Sequence, residues 1–337
     1  MSVKSYILKR GATYLVVFVI AITIVWLLIR FAPGDPALTN VMRSMMAPGV
    51  RYTEEQIEEY RRRAIEFLGW NLPLPQQYAL FWSRLIMGDL GYSTYFSAPV
   101  TSKLREILVR DLLLLTPSVL VSWFIGNYIG ALAARNRKLD KFLLPIFYVL
   151  TATPYFLLGL LFAYELGVVY PVFKATIMSS DIDAIFTTFS WETLTNFLKA
   201  YTLPFLSLTL IAIGGWASGM RSMMIQELGS NYSRYMEMLG FSDRKIAEYA
   251  FRYAINPQIS GLGIQLGTII VAGIVVSSVF NYPGAGIALI YAINFRDVFL
   301  IQGIIVAYTL MVIVANFIVD ILYAMLDPRI RLGISGV

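Results

Sequence analysis

Asn231-Tyr232-Ser233-Arg234-Tyr235-Met236-Glu237-Met238-Leu239-Gly240, followed by Phe241 and then Ser242-Asp243-Arg244-Lys245, forms the heart of a polar segment, residues 221–257, between two long apolar runs. The pattern predicts a helix, a glycine break and a second helix. Gly240 permits a sharp turn between the two. Ser242 can cap the second helix, and Asp243 complements its N-terminal dipole. Ile246, Ala250 and Tyr253 then give the second helix one apolar face. A segment this long and this helix-patterned has the shape of a docking element rather than of a simple connector.

The apolar runs on either side belong to a larger set. The chain has 337 residues, 58% hydrophobic and only 14% charged, where a soluble domain carries about a quarter charged residues. Charge-free runs occupy residues 11–29, 112–134, 142–164, 200–220, 253–295 and 298–319. A helix needs about 20 apolar residues to cross about 30 Å of hydrocarbon, and each run is that long. The fifth exceeds one span, but Asn281-Tyr282-Pro283-Gly284 divides it. Residues 257–280 read as the span, and the residues after Phe280 as an outside loop. The runs do not alternate as barrel strands would. The expected fold is an all-α integral membrane protein with six transmembrane helices.

Lys and Arg placement orients the spans. With both termini cytoplasmic, the inside segments hold Lys4, Lys9 and Arg10, then Arg135, Arg137, Lys138 and Lys141, then the segment 221–256. The opposing loop 167–199 is far longer, yet its cations are Lys174 and Lys199 alone. The arginines within 30–111 sit in a long loop, which translocates largely regardless of charge. The net charge of +6 therefore follows from topology and does not call for a nucleic-acid partner. The apolar stretch after Arg10 exceeds a signal-peptide core, and Arg30-Phe31-Ala32-Pro33-Gly34-Asp35-Pro36 offers no cleavage pattern, so it reads as a retained first span. The chain has neither cysteine nor histidine. Disulfides are excluded, and a transition-metal, Ser-His or haem centre is disfavoured. These absences also hint at a hot habitat.

Residues 32–110 form a small helical extracytoplasmic segment between the first and second spans. Thr53-Glu54-Glu55-Gln56 has capping-box spacing. Ile57, Tyr60, Ala64 and Leu68 share one helical face, Glu58/Arg62 and Glu59/Arg63 pair at i,i+4, and Gly69 stops the helix. Pro73-Leu74-Pro75 precedes a second amphipathic piece, 76–87. This appendage either covers the outer mouth or serves as a platform for a soluble partner. The division is 1–31 for the tail and first span, 32–110 for the appendage, and 111–337 for the core.

Within the spans, Gly126-x-x-x-Gly130 and Gly263-x-x-x-Gly267 have the spacing that lets helix backbones approach closely. They are either static packing surfaces or surfaces that slide. Asn127 and Gln265 are the notable mid-span polar side chains; they either line a path for a polar solute or hydrogen-bond between helices. Glu165 and Asp320 fall at span ends. No ionisable group stands mid-span, as an ion-coupled carrier would require. No phosphate-cradling G-x-x-x-x-G-K-[ST] motif occurs, so nucleotide energy must come from another subunit.

The motif set resembles the first of the two membrane permeases of the dipeptide/oligopeptide/nickel family of ABC importers. The likeness begins at Tyr6-Ile7-Leu8-Lys9-Arg10 and continues at Arg30-Phe31-Ala32-Pro33-Gly34-Asp35-Pro36. Gly88-Asp89-Leu90-Gly91-Tyr92-Ser93 matches the family's G-D-L-G-x-S. Thr153-Pro154-Tyr155-Phe156, Pro283-Gly284-x-Gly286, Gln302-Gly303 and Asp327-Pro328-Arg329-Ile330-Arg331 follow in order. The resemblance implies the ABC type I importer permease fold in a prokaryotic cell membrane. It also implies that 221–257 is a coupling segment seating on an ATPase. Tyr232, Arg234 and Gly240 agree with the peptide-type pattern. Arg234-Tyr235-Met236 replaces the family's Glu-Ala-Ala, and the larger side chains ask for a wider pocket. The implied partners are a second homologous permease, two ABC ATPases that would bind ATP and Mg, and an extracytoplasmic binding protein. This chain itself would hold no cofactor and hydrolyse nothing. Short peptides are the favoured cargo, with oligosaccharides as the alternative and nickel less favoured. A stand-alone carrier or channel would show mid-span ionisable groups and an internal repeat. An intramembrane enzyme would show His, Cys or metal-ligand clusters.

Overall fold

A computed structural model describes residues 3–31 and 53–326. The side chains of Ile57, Tyr60, Arg63, Ala64 and Leu68, the motif residues after Phe31, and Asp327-Pro328-Arg329-Ile330-Arg331 lie outside the described set. The described residues are almost wholly helical. In order they run α1 (Val3–Arg30), α2 (Glu54–Leu68), α3 (Leu74–Ile86), the two-residue strands β1 (Tyr92–Ser93) and β2 (Ala98–Pro99), α4 (Val100–Arg135), α5 (Arg137–Ala152) and α6 (Tyr155–Tyr164). Then come a π-turn (Glu165–Val169), α7 (Ser179–Thr187), α8 (Trp191–Leu228), α9 (Asn231–Met238), α10 (Asp243–Phe280), α11 (Ala285–Asn294) and α12 (Val298–Leu326). β1 and β2 pair antiparallel, Tyr92 with Pro99 and Ser93 with Ala98.

Five helices are long and apolar enough to cross a membrane, and a sixth span arises if the bent pair α5–α6 is counted as one. The third run was expected as a single span. It is bent by 98° instead. Pro154 lacks an N–H and disfavours helical backbone at the residue before it, and Thr153 is accordingly extended, with ψ 125°. Pro117, Pro204 and Pro257 lie inside unbroken helices. The span expected to begin at residue 257 is therefore the continuation of a 38-residue helix that starts at Asp243. The stretch expected as a plain loop after Phe280 contains the short apolar helix α11. α8 likewise starts before its charge-free run, where Ser190 Oγ accepts the Thr193 N–H at 3.1 Å.

The described chain divides into two compact units. The first comprises Met1–Leu15, Arg110–Gly286 and Val312–Val337. α8 is its centre: 56% of its apolar window is buried, against 11% for α1, whose leucines and valines face outward as lipid-facing side chains do. α8 packs on α5, α6, α7 and α10. Gly126 and Gly130 of α4 explain the closest approach, because a Cβ on Gly126 would stand 2.6 Å from Trp216 Cβ and one on Gly130 would meet the Ala217 backbone. This glycine pair is a packing surface within the chain. The pair in α10 differs: Gly263 abuts Asn316, while a Cβ on Gly267 would meet nothing within 4 Å. Polar ties hold the bundle. Arg221 of α8 donates to both Asp140 carboxylate oxygens, Nη2 to Oδ2 at 2.6 Å, and Trp123 Nε1 donates to the Gln258 carbonyl at 3.2 Å. Asp320 accepts the Tyr14 hydroxyl at 2.7 Å. Asp111 accepts the Ala285 N–H at 2.8 Å, at the start of α11.

The second unit comprises Val16–Val109 and Ile287–Met311. The expected capping box is present: Thr53 Oγ1 accepts the Gln56 N–H and Gln56 Oε1 accepts the Thr53 N–H. Gly69 ends α2 at φ +70°, with the Trp70 N–H bonded to the Ile65 carbonyl and the Gly69 N–H to Glu66, a left-handed C-cap. The Gly88–Ser93 motif is structural here. Asp89 Oδ1 accepts the Gly91 N–H at 2.9 Å. Ser93 Oγ donates to Asp297 at 2.6 Å, and the Tyr95 N–H donates to the same carboxylate at 2.9 Å. Asp297 is buried, and these donors supply the hydrogen bonds that a buried carboxyl group needs. The Tyr95 ring stacks on Tyr291 and Phe295 at 5.0 and 5.2 Å.

Candidate functional site

α9 is a two-turn helix isolated by a break on each side. Gly229 and Ser230 separate it from α8, and Leu239 to Ser242 separate it from α10. Its base is fixed from within. Ser230 Oγ and the buried Ser233 Oγ both donate to the Glu227 carbonyl, at 2.6 and 2.7 Å. The Tyr232 hydroxyl donates to the Glu227 carboxylate at 2.8 Å, and its ring lies against Tyr253 at 5.4 Å. Burial, then the bond to Glu227, holds the Tyr232 phenol above its ordinary range.

Gly240 ends α9 at φ +77°. Its N–H bonds to the Glu237 carbonyl at 2.9 Å and the Phe241 N–H reaches Met236 at 3.1 Å, the two bonds of a Schellman ending. A Cβ there would meet nothing within 4 Å, so the glycine is required by conformation and not by space. Ser242 stands at the N-cap of α10 as expected, but its hydroxyl makes no cap hydrogen bond. Its carbonyl serves instead, accepting from Lys245 and Ile246. Asp243 opens α10 in the first turn, and Ile246 and Ala250 are buried.

The outward side of this element is apolar. Tyr235 is 63% exposed, Met238 81%, Leu239 59% and Phe241 45%. Met236 is half-buried, and Arg234 points to solvent. Four neighbouring large apolar side chains on a charged, polar segment make a knob that suits burial against a partner. Met238, Leu239 and Phe241 were not singled out from sequence, where apolar residues at helical spacing read as core.

A second feature lies in the first unit, where the α5–α6 break faces α8 and α10. An open groove of about 610 Å³ is walled by Thr151 and Tyr155 at the break, Gly215 and Trp216 of α8, and Gln258 and Gln265 of α10, among others. That volume falls within the range of small-molecule sites. Gln265 is in the wall, as is Tyr155. Asn127 is not. It is 2% exposed, and its Nδ2 donates to the Trp123 carbonyl of its own helix at 2.7 Å. Of the two expected path residues, the structure brings one to the groove and buries the other. Gln258 and Trp216 were missed. Two glutamines seven apart share one face of a helix, and that spacing was the available signal.

Comparison with known proteins agrees with this architecture. Residues 126–332 match the family described as "Binding-protein-dependent transport system inner membrane component". The chain is 29% identical over 334 residues to the glutathione transport system permease protein of Escherichia coli (strain K12), covering 97% of this chain and 99% of that protein. It is 28% identical over 330 residues to the protein of the same name from Salmonella paratyphi A, with 97% and 99% covered. A protein of Brucella suis biovar 1, provisionally named a peptide permease, is 28% identical over 317 residues, with 93% and 94% covered. The family match takes in well over half of the chain and includes the groove, the knob and the glycine ending of α9. The chain thus belongs to the inner membrane components of binding-protein-dependent ABC transport systems, as a multi-pass permease subunit.

Proposed function

We propose that this chain forms one half of the translocation path of an ATP-driven importer of short peptides. It works with a second homologous permease, two ABC ATPases that bind ATP and Mg, and an extracytoplasmic binding protein. Both termini and α9 lie on the cytoplasmic side, where Arg135, Arg137, Lys138 and Lys141 also cluster. α9 is the coupling helix: Tyr235, Met236, Met238 and Leu239 seat on an ATPase, Gly240 sets the turn, Tyr232 braces the helix from behind, and Arg234 and Asp243 border the contact. The single observation that carries this reading is the exposed apolar knob on a helix isolated between two breaks, in a chain without a phosphate-binding loop. Closure of the ATPase pair would move α9 and, through the rigid α8 and α10, bias two arrangements of the spans.

Peptide cargo is favoured over oligosaccharide because similar full-length relatives are named for glutathione, itself a tripeptide, and for peptides. The test is reconstitution of the two permeases, the ATPases and the binding protein in proteoliposomes. ATP-dependent uptake of a short peptide that vanishes when the ATPases are omitted is expected. Uptake by this chain without them would overturn the reading.

A further inference from the structure

The groove between the α5–α6 break, α8 and α10 carries a specific chemistry. α10 presents Gln258, Gly261, Gln265 and Thr268 to it, at i, i+3, i+7 and i+10, which is one face of an α-helix. No Asp, Glu, Lys or Arg stands among the residues that wall it. Gln258 is 6% exposed and its backbone carbonyl accepts from Trp123, and in the same wall the indole Nε1 of Trp216, 8% exposed, is buried with no hydrogen-bond partner among the described residues. Leaving a buried N–H unmet is unfavourable, so the buried, unpartnered indole of Trp216 in the groove wall points to an occupant that brings a hydrogen-bond acceptor. Gln265 Oε1 accepts from the Thr268 hydroxyl, weakly at 3.4 Å. The start of α6 lies in the same wall without a side-chain cap. Free N–H groups at a helix start favour a carboxylate.

The distances select a size. Seven residues of helix rise about 10 Å, and an extended chain covers that length in about three residues. Carboxamides match peptide groups in both donor and acceptor, whereas a charged side chain entering here would lose water without gaining a counter-charge.

We propose that this groove is a station for a peptide of about three residues with uncharged side chains, its backbone amides held by Gln258 and Gln265 and its carboxylate end by the start of α6. The permease then selects against side-chain charge on its own, in addition to whatever the binding protein selects. This rests on the peptide-importer reading above.

The test uses the full importer in proteoliposomes with Ala-Ala-Ala, Ala-Lys-Ala and Ala-Glu-Ala, each saturating the binding protein. Wild type is expected to carry Ala-Ala-Ala about tenfold faster than either charged peptide. Gln265→Glu, which supplies the missing counter-charge for a lysine side chain, should raise the Ala-Lys-Ala to Ala-Ala-Ala ratio about tenfold, and Gln265→Lys should do the same for Ala-Glu-Ala. Equal rates for the three peptides in wild type, or ratios unmoved by both substitutions, would overturn the station while leaving the peptide importer standing. If no peptide enters a wild-type importer whose ATPase responds to its binding protein, the peptide reading falls and the station with it.

Discussion

The α9 knob and the α10 groove depart from their surroundings in opposite directions. In α9, apolar side chains stand in solvent: Tyr235, Met238, Leu239 and Phe241 are exposed on a segment otherwise rich in Arg, Lys, Glu and Ser. In α10, polar side chains stand inside an apolar helix: Gln258 and Gln265 wall an open groove, which the buried, unpartnered indole N–H of Trp216 also lines. Packing alone favours neither arrangement. Local rules are broken most often where a structure serves a function. The knob asks for a protein partner that buries it, and the groove asks for a polar occupant that satisfies it.

Charging the knob should have the largest effect. Each large apolar side chain buried at an interface is worth about 1.5–3 kcal/mol. Met238→Asp with Leu239→Asp should weaken ATPase association by about a hundredfold or more, read by co-purification and by titrating ATPase onto the permease pair. Met238→Leu should leave it unchanged.

The turn behind the knob comes next. Gly240 adopts φ +77° with open space around it. A β-branched residue there meets a left-handed penalty of about 1–2 kcal/mol, and proline cannot adopt a positive φ at all. Uptake per ATP hydrolysed should fall about tenfold in Gly240→Val and further in Gly240→Pro. It should stay near wild type in Gly240→Asn, since Asn tolerates this conformation.

Smaller effects sharpen the contrast between filled and open helix faces. Gly130→Leu forces a side chain into the Ala217 backbone and should cost about 1–3 kcal/mol, read as a lower thermal midpoint of the purified complex. Gly267→Ala meets nothing, and should hold or slightly raise that midpoint, because helical Gly is worse than Ala by about 0.5–1 kcal/mol.

The smallest effect is at Tyr232. Tyr232→Phe removes the hydrogen bond to Glu227, with a net loss of about 0.5–1.5 kcal/mol. The phenol is held above its ordinary range, which is about 10. Its contribution is therefore complete below that pH and is lost as the pH rises beyond it. The difference between wild type and Tyr232→Phe should shrink above about pH 10.

Much of this fold was legible because a membrane span is the strongest signal a sequence carries: twenty residues without charge leave few alternatives. The capping box at Thr53 and the left-handed glycines at 69 and 240 were legible for a similar reason, since each depends on a few adjacent residues. The bend at Thr153 was not, because Pro154 in the third run looks no different from Pro117, Pro204 or Pro257, which their helices absorb. The hydroxyl of Ser242 was expected to cap α10, but the carbonyl of the same residue takes the donors first. The knob and the groove were only half legible. Whether Met238 faces solvent or core, and whether Asn127 or Gln258 meets the groove, is decided by the neighbouring helix and not by the residue's own spacing.

As the proposed coupling helix, α9 seats on an ATPase. A photo-reactive amino acid at Met238, in the assembled and transporting importer, tests it directly. Illumination should link this chain to an ATPase subunit, with the yield changing between nucleotide-free and ATP-bound states. An importer that still transports but yields no ATPase adduct from position 238 in either state would contradict it.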